Sequence, residues 1–235
     1  HISHWLFCPT QTAVDNLKKE GIVQGVQLTG DVMLDSVLHF LEVARRNPQK
    51  AAIFEALGIA PKQYRLATLR RAETTDGGLE AIVRIFRAFE QLPQRVLIPI
   101  HPRTRKLAEQ AIAQEGFHNI QLIDPVGYLE MLLLTSNACQ VLTDSGGLQE
   151  EAPALGKPIV VLRTETERPE VVEAGMALLA GVEEDNVAAA GERLLTDAAL
   201  YHQMSHAINP YGDGHTSQRI AQIILDWGRE RRARA

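Results

Sequence analysis

The stretch QVLTDSGGLQEEAPALGKPIVVL, residues 140–162, predicts one complete strand–helix–strand unit. Residues 140–143 and 158–162 are short runs dominated by Val, Ile and Leu, which is typical of buried strands. Between them, residues 148–155 predict a short helix that ends before Gly156. Because strands joined by a helix pair in parallel, the stretch favours an α/β fold.

The same alternation runs along the whole chain. Further apolar runs predict strands at residues 2–8, 26–29, 64–69, 95–100 and 120–124. Helical periodicity predicts helices at residues 11–20, 31–46, 79–92, 105–115 and 216–231. The pattern therefore predicts a Rossmann-like, doubly wound parallel sheet.

Two of these helices carry apolar stripes. The first stripe lies on residues 31–46 and consists of Met33, Leu34, Val37, Leu38, Leu41 and Val43. The second lies on residues 216–231 and consists of Ile220, Ile223, Ile224 and Trp227. We interpret the first as the broad apolar face of a connecting helix, and the second as a face that packs against the core.

Composition excludes several classes of protein. The 235 residues are 45% hydrophobic and 23% charged, with a formal net charge of −5, so we expect no nucleic-acid partner and no membrane partner. No apolar run has the length of a membrane span, and the N-terminal residues lack a signal-peptide pattern. Cys8 and Cys139 lie in strand-like runs as core thiols, which favours a cytoplasmic location.

The chain opens on His1 and enters a strand at once, whereas a parallel sheet needs neighbouring strands. We therefore expect it to be part of a longer protein. Four segments are predicted: residues 1–30 from an N-terminal α/β domain, residues 31–60 as connecting helices, residues 61–208 as a nucleotide-binding domain, and residues 209–235 as a closing helix with a basic tail.

Ligands of open parallel sheets bind at the carboxyl ends of the strands. The residues that follow the predicted strands are polar or glycine: Arg70, Arg71, Glu73, His101, Asp124, Ser145, Gly146, Gly147 and residues 163–168. Backbone amides of Ser145, Gly146 and Gly147 at the start of a helix predict a diphosphate site. Of the adjacent Glu150 and Glu151, one suits the helix start and the other could accept hydrogen bonds from two ribose hydroxyls.

Several longer motifs resemble the non-hydrolysing UDP-N-acetylglucosamine 2-epimerase family. They are TDSGGLQEEAPALGKPIVVLRTETERPE (143–170), HPRT (101–104), DPVGY (124–128), NPYGDG (209–214), SHWLFCPTQTAVDNLKKEG (3–21) and TGDVMLDS (29–36). They follow in family order over nearly the whole chain. The resemblance implies a glycosyltransferase-B-type two-domain fold in which this chain supplies the end of the first domain and all of the second.

The resemblance also implies an isomerase that interconverts UDP-N-acetylglucosamine and UDP-N-acetylmannosamine by removing the C2 proton, eliminating UDP and adding it back. That route needs no cofactor and no metal, and the family context is cell-surface polysaccharide biosynthesis, with a homodimer expected. The implied substrate-binding residues are Ser145, Gly146, Gly147, Glu151, Arg168, His101, Arg71 and Tyr128. An ordinary ion pair is the alternative for each arginine, and backbone capping for His101. For residues 209–214 the alternative to ligand contact is a purely structural turn.

The sequence departs from the family pattern in two respects. Residues 68–74 read TLRRAET where the family has T-x-H-R-x-E-N, so Arg70 stands at the histidine position. The family's acid/base carboxylates belong to its N-terminal half and have no counterpart here, so the catalytic residues are unknown and we expect this chain alone to be inactive. The alternative is a UDP-sugar-binding module without turnover.

Overall fold

The computed structural model describes residues 2–75 and 77–233, without the side chains of Ala72 and Glu73. The chain divides into two compact units. One consists of residues 1–39 with 209–235, and the other of residues 40–208. The predicted division into four segments stays a prediction. None of the described helices is both long enough and apolar enough to cross a membrane.

The elements alternate along the chain as the sequence predicts. The strands are β1 (Leu6–Cys8), β2 (Val26–Leu28), β3 (Tyr64–Thr68), β4 (Arg95–Pro99), β5 (Ile120–Ile123), β6 (Gln140–Thr143), β7 (Ile159–Val161) and β8 (Ala177–Leu179). The helices are α1 (Gln11–Lys19), α2 (Val32–Arg45), α3 (Pro48–Ala51), α4 (Ile53–Leu57), α5 (Ala72–Thr75), α6 (Gly78–Glu90), α7 (Pro102–Glu115), α8 (Tyr128–Asn137), α9 (Gly146–Ala154), α10 (Pro169–Glu173), α11 (Glu184–Thr196), α12 (Ala198–His206) and α13 (Thr216–Ala233).

The unit formed by residues 40–208 contains a parallel sheet with the strand order β5-β4-β3-β6-β7-β8. In its centre Leu66 lies opposite Val141, and Val141 lies opposite Ile159. The α/β class with a parallel sheet is therefore confirmed. Strand β8 was not predicted from the sequence. Its three residues, in the short segment between Gly175 and Gly181, are too few to show a strand pattern.

Strands and helices of this unit bury a continuous apolar core. Helix α6 turns one side toward the sheet and buries Ile82, Ile85, Phe86 and Phe89 completely. The strands contribute Val96, Ile98, Leu142 and Val160 to the same cluster. Fully burying a side chain of this size stabilises the fold by about 1.5–3 kcal/mol relative to leaving it exposed, so this layer holds the carboxyl edge of the sheet in place.

The unit that joins the two ends of the chain contains the parallel pair β1 and β2. Strand β1 is shorter than the predicted 2–8 strand, because its partner β2 offers three residues for pairing, from Val26 to Leu28. Gly25, directly before β2, has φ of 73°, and a Cβ there would lie 2.1 Å from the carbonyl oxygen of His4. Only glycine fits this turn.

The apolar face predicted on α2 is narrower than expected. Leu34, Val37 and Leu41 of the predicted broad face are buried. Met33, Leu38 and Val43 were assigned to the same face, yet each remains about 40% exposed. The reason is geometric: residues spaced by three and four along one narrow stripe face inward, and the flanking positions lie on its borders.

The core prediction for the last helix is wrong. Among the side chains of α13, Thr216 is the buried one, whereas Ile220, Ile223 and Trp227 are half-buried and Ile224 is 48% exposed. Helical periodicity identifies an apolar face, but it does not show how completely that face is covered. Near the end of the helix, the Arg231 guanidinium lies 4.9 Å from the centre of the Trp227 ring.

Residues 209–214 form a turn whose described contacts are internal to this unit. The backbone N–H of Tyr211 donates to Asn209 Oδ1 at 2.9 Å, and the N–H of Asp31 donates to the Tyr211 carbonyl at 2.8 Å. Asp213 accepts from Arg219 at 2.9 Å. These contacts support the structural interpretation of the NPYGDG motif rather than a ligand contact.

Asp35 caps α13, and its replacement by alanine is expected to destabilise the chain by about 1 kcal/mol. Its carboxylate accepts from the N–H groups of Thr216 at 3.1 Å and Ser217 at 2.6 Å. Burial raises the pKa of Asp35, but the hydrogen bonds from Ser217 and Thr216 outweigh it, so the pKa lies below its usual value.

The measurement is urea unfolding of Asp35→Ala at pH 7 and at pH 3. Because the folded-state pKa of Asp35 is depressed, its contribution is present at pH 7 and is lost as the pH falls through that value. Asp226→Ala is the control, since the Asp226 carboxylate is exposed and pairs with Arg229 within the helix. Equal losses for the two variants at pH 7 would contradict the capping role.

Candidate functional site

The carboxyl ends of the central strands surround a cavity of about 440 Å³, a volume in the range of small-molecule sites. Its lining comes from the last residues of β3 and β4, the residues that follow β3, β4, β5 and β6, and the first two turns of α8 and α9. The lining residues are Thr68, Arg70, Pro99, His101, Pro102, Pro125, Val126, Tyr128, Met131, Ser145, Gly147, Leu148 and Glu151. A ligand was predicted from the sequence at the carboxyl ends of the strands. The structure brings the lining residues together at that edge of the sheet.

Helix α9 begins at Gly146, two residues before the predicted start, so both glycines lie in its first turn. The N–H groups of a first turn have no partner within their own helix and carry the positive end of the helix dipole. The amide of Ser145 differs from the expectation: it donates to Thr143 Oγ1 at 3.0 Å. Thr143 Oγ1 also hydrogen-bonds Thr68 Oγ1 at 2.7 Å, which ties the ends of β6 and β3 together.

The two glycines have different surroundings. A Cβ on Gly147 would meet Ser145 Oγ at 4.0 Å and nothing closer, so space lies open beside this amide. A Cβ on Gly146 would lie 3.3 Å from Glu167 Oε2 and 3.7 Å from an Arg71 guanidinium nitrogen. Gly147 lines the cavity and Gly146 lies beside an ion pair at its border.

Glu151 is the carboxylate among the described lining residues, one helical turn after Gly147. Burial and the neighbouring Glu150 carboxylate together raise its pKa to about 7, against the opposing charge of Arg70. Glu150 pairs with Arg168, so of the two adjacent glutamates Glu151 is the one at the cavity. This position suits the predicted contact with ribose hydroxyls.

His101 lines the cavity and also caps α7. Its Nδ1 accepts the backbone N–H of Arg103 at 3.3 Å. The capping alternative is therefore present in the structure, and with Nδ1 as the acceptor the other ring nitrogen, Nε2, carries the N–H donor. That N–H is available for a phosphate or sugar oxygen.

Tyr128 lies at the apolar side of the cavity, at the first position of α8. Its ring is 41% exposed and makes an edge contact with Phe40 at a centroid distance of 5.9 Å. Burial and the nearby Glu151 raise the pKa of Tyr128. Pro125, Val126 and Met131 continue this wall, which suits the flat face of a nucleobase.

Arg71 and Arg168 do not line the cavity. The Arg71 guanidinium donates to Glu167 at 3.0 Å, and Arg168 pairs with Glu150. The ion-pair alternative is thus present for both. Arg70, which was predicted at the ligand edge of the sheet but not among the implied substrate-binding residues, lines the cavity instead.

Asp144 ties the residues that follow β3 to the residues that follow β6. This role was not predicted from the sequence. It is fully buried directly before Ser145, and its Oδ2 accepts from the N–H groups of Arg70 at 2.6 Å and Arg71 at 2.7 Å. The hydroxyl of Thr74 donates to the same oxygen. Its position at a strand end was visible in the sequence, but its partners lie about 70 residues away and the sequence does not pair them.

Metal ligation has no support in the parts of the chain described. Within residues 2–75 and 77–233, His, Cys, Asp and Glu side chains do not gather in groups of three that could hold a metal ion. The polar groups of the cavity are backbone amides, hydroxyls, an imidazole, a guanidinium and a carboxylate. Such groups bind phosphates and hydroxyls.

Comparison with known proteins decides the family. The sequence profile of the family described as UDP-N-acetylglucosamine 2-epimerase matches residues 1–225. The chain belongs to the UDP-N-acetylglucosamine 2-epimerase family. The resemblance found in the sequence motifs is therefore confirmed.

Individual relatives agree with the family assignment. A UDP-N-acetylglucosamine 2-epimerase homolog of Methanococcus maripaludis is 41% identical over 228 residues, which cover 95% of this chain and 61% of the relative. The crystal structure of UDP-GlcNAc 2-epimerase from Neisseria meningitidis bound to UDP-GlcNAc is 34% identical with a TM-score of 0.82, covering 95% of this chain and 62% of that one.

A more distant likeness concerns the fold alone. The C-terminal domain of a glycosyl transferase group 1 family protein from Francisella tularensis is 19% identical with a TM-score of 0.51, covering 74% of this chain and 93% of that domain. The fold class, an α/β fold of glycosyltransferase-B type, is thereby confirmed. The chain spans 58% and 61% of the length of two curated 2-epimerase relatives that it matches.

Proposed function

We propose that the cavity binds the UDP part of UDP-N-acetylglucosamine. The observation that carries the proposal is the arrangement on α9, where the first-turn amides of Gly146 and Gly147 lie one helical turn before Glu151. The amides suit a diphosphate and the carboxylate suits the two hydroxyls of the ribose between diphosphate and base. Tyr128 and Pro125 would border the uracil.

The activity proposed for the complete protein is interconversion of UDP-N-acetylglucosamine and UDP-N-acetylmannosamine. The C2 proton leaves to a base, the C1–O bond breaks with its electron pair on the diphosphate oxygen, and UDP adds back after C2 is protonated on the opposite face. The cavity would hold UDP through its departure and return. Binding charge where it develops in the transition state lowers the barrier.

A binding module without turnover is the second candidate, favoured by one observation. Glu151 is the sole carboxylate among the described lining residues of the cavity, whereas inversion at C2 needs a proton acceptor on one face and a donor on the other. An exchange assay between the two UDP-sugars, run on this chain and on the complete protein, separates the candidates. Turnover by the complete protein alone would select the epimerase, and UDP-sugar binding by both without turnover by either would support the module.

The proposed partners follow from this function. We propose a UDP-sugar as substrate, and a homodimer and a cytoplasmic location remain part of the proposal. The two free cysteines, Cys8 and Cys139, are both buried, which supports a reducing compartment. Sedimentation of the purified chain would measure its oligomeric state.

Replacing Gly147 with valine is expected to weaken UDP binding at least about tenfold without destabilising the fold. A Cβ at this position meets no atom closer than 4.0 Å, so the fold has room for it. The added methyl groups would occupy the approach of a diphosphate to the amides of α9. Isothermal titration calorimetry with UDP measures the affinity, and thermal unfolding measures the stability.

Gly228→Val is the matched control. Gly228 also lies in a helix, and nothing lies within 4 Å of a Cβ built there. We expect the control to bind UDP as the wild type does. Equal UDP affinity of Gly147→Val and wild type would refute the proposed diphosphate site.

A further inference from the structure

A fully buried arginine lies at the amino end of the sheet, opposite the end that carries the cavity. Arg65 is the second residue of β3, and its side chain is 0% exposed. Gln140, the first residue of β6, lies opposite Arg65 in the parallel register and is also fully buried. The cavity lies at the carboxyl ends of the same two strands. This pair of side chains is therefore separate from the proposed nucleotide site.

Hydrogen bonds within the chain satisfy only part of this pair. Arg65 Nε donates to Gln140 Oε1 at 2.8 Å. Arg65 Nη1, Arg65 Nη2 and Gln140 Nε2 are buried as well, and none of them donates to an acceptor in the described part of the chain. All three nitrogens are donors only. A buried donor without an acceptor destabilises a fold, so this cluster of N–H groups calls for an acceptor that the described residues do not supply.

The charge of Arg65 also lacks a counter-charge. Burial lowers the pKa of Arg65 to about 10, so the guanidinium is still a cation at neutral pH. Apart from the side chain of Glu73, which is not described, no carboxylate acts on this charge, and the group that does is the Cys139 thiol. Burial raises the pKa of Cys139 against the opposing charges of Arg65 and Lys157, so the thiol is neutral at pH 7. A buried positive charge without a negative partner is costly.

Arg95 is a natural comparison, because it forms the same kind of pair in a solvated position. Arg95 Nη1, on β4, donates to Gln121 Oε1, on β5, at 3.1 Å. Arg95 is exposed, so water can accept from its other N–H groups. Arg65 lies on β3, between β4 and β6 in the sheet, and is closed off from solvent. The need for an additional acceptor is therefore a property of Arg65 and not of every arginine–glutamine pair in this sheet.

We propose that Arg65 and Gln140 bind a small monovalent anion of the size of chloride at the amino end of the sheet. Such an ion accepts hydrogen bonds from several N–H groups at once and brings one negative charge for one guanidinium. A water molecule would bring no charge, and its own two hydrogens would need acceptors in a cluster of donors. A phosphate would bring excess negative charge into a buried position. The inference does not rest on the proposed function.

The first test is thermal unfolding of wild type in sodium chloride and in sodium gluconate at equal ionic strength. Gluconate is too large for a fully buried site, and it accounts for screening by salt. Chloride at about ten times its dissociation constant should raise the Tm by about 3–6 °C above the value in gluconate. Equal Tm values in the two salts over a chloride titration would overturn the proposal.

Three variants connect the salt effect to the residues. Gln140→Glu places a carboxylate beside the guanidinium, so it should unfold in gluconate at a higher temperature than wild type and respond to chloride by less than about 1 °C. Arg65→Met removes the cation and should also lose the difference between the salts. Arg95→Met is the matched control and should keep the wild-type difference. Because the readout is a difference between two salts for each protein, a change in overall stability does not obscure it.

The second test locates the ion with bromide, which scatters anomalously. A crystal of this chain soaked in sodium bromide should show an anomalous peak beside Nη1 and Nη2 of Arg65, and a crystal of Arg65→Met should show none there. Absence of the peak from wild type would overturn the proposal. So would a peak without a chloride-specific change in Tm, which would indicate an adventitious ion only, or an undiminished change in Arg65→Met. Failure of wild type to bind UDP would overturn the proposed function and leave this inference standing.

Discussion

Glu151→Gln is expected to stabilise the unliganded chain by about 3 kcal/mol at pH 8 and by almost nothing at pH 4. Burial and the Glu150 charge raise the pKa of Glu151 from 4.5 to about 7, so the folded state holds this proton more tightly than the unfolded state does. The stability of wild type therefore falls as the pH rises from about 4.5 to about 7, and the penalty stays constant above that. Glutamine carries no charge and removes the penalty.

The same carboxyl makes binding of UDP-N-acetylglucosamine depend on pH in the opposite direction. The ionised form accepts hydrogen bonds from the ribose hydroxyls through both of its oxygens, whereas protonation turns one of them into a donor. With a pKa of about 7, Glu151 is about one-tenth ionised at pH 6 and about nine-tenths ionised at pH 8, so the affinity should rise about ninefold. Glu151→Gln should bind weakly and show no such rise.

Calorimetry with UDP-N-acetylglucosamine and urea unfolding across pH 4 to 8 measure both effects on one pair of proteins. The nucleotide sugar is the better ligand here, because its diphosphate is substituted at both ends and does not titrate in this range. Glu109→Gln, an exposed carboxyl on α7, is the control. A wild-type affinity that falls between pH 6 and pH 8 would contradict the role of Glu151.

Asp144→Ala is expected to destabilise the chain by about 3–5 kcal/mol. The substitution removes the acceptor of the N–H groups of Arg70 and Arg71 and of the Thr74 hydroxyl. An unsatisfied buried donor costs about 1–3 kcal/mol, and only part of this segment can reach water after relaxation. The loss should therefore exceed that of any single hydrogen bond in the site.

Thr74→Val is the graded comparison for Asp144. It removes one donor to Asp144 and leaves the two backbone donors in place, so about 1 kcal/mol should be lost. Urea unfolding monitored by circular dichroism measures both variants. Equal stabilities of Asp144→Ala and Thr74→Val would show that the backbone contacts to Asp144 carry little free energy.

Local sequence patterns predicted most of the fold, because strand runs and helical periods are properties of neighbouring residues. The run QVLT predicted β6 with its bounds as observed. Burial was predicted less well. The apolar stripe of α13 was predicted to be core, but Ile224 is 48% exposed, because the burial of a helix face depends on elements distant in sequence. In α2 the periodicity likewise assigned Met33 and Val43 to the apolar face, but it did not show that both side chains are about 40% exposed.

The site residues also differ in whether neighbouring residues in the sequence predict them. Glycines followed by a glutamate predicted the amides and the carboxylate of α9, since these groups lie within two turns of one helix. The role of Asp144 depends on contacts between β6 and the segment after β3, which no local pattern reveals. That Arg71 and Arg168 are held in ion pairs likewise required the positions of Glu167 and Glu150.

The most direct test of the central claim is a crystal structure of this chain with UDP-N-acetylglucosamine. The account predicts phosphate oxygens within about 3.2 Å of the amide nitrogens of Gly146 or Gly147, and ribose hydroxyls within the same distance of the Glu151 carboxylate. A nucleotide bound away from α9, or bound there with its base rather than its diphosphate against these amides, would contradict it.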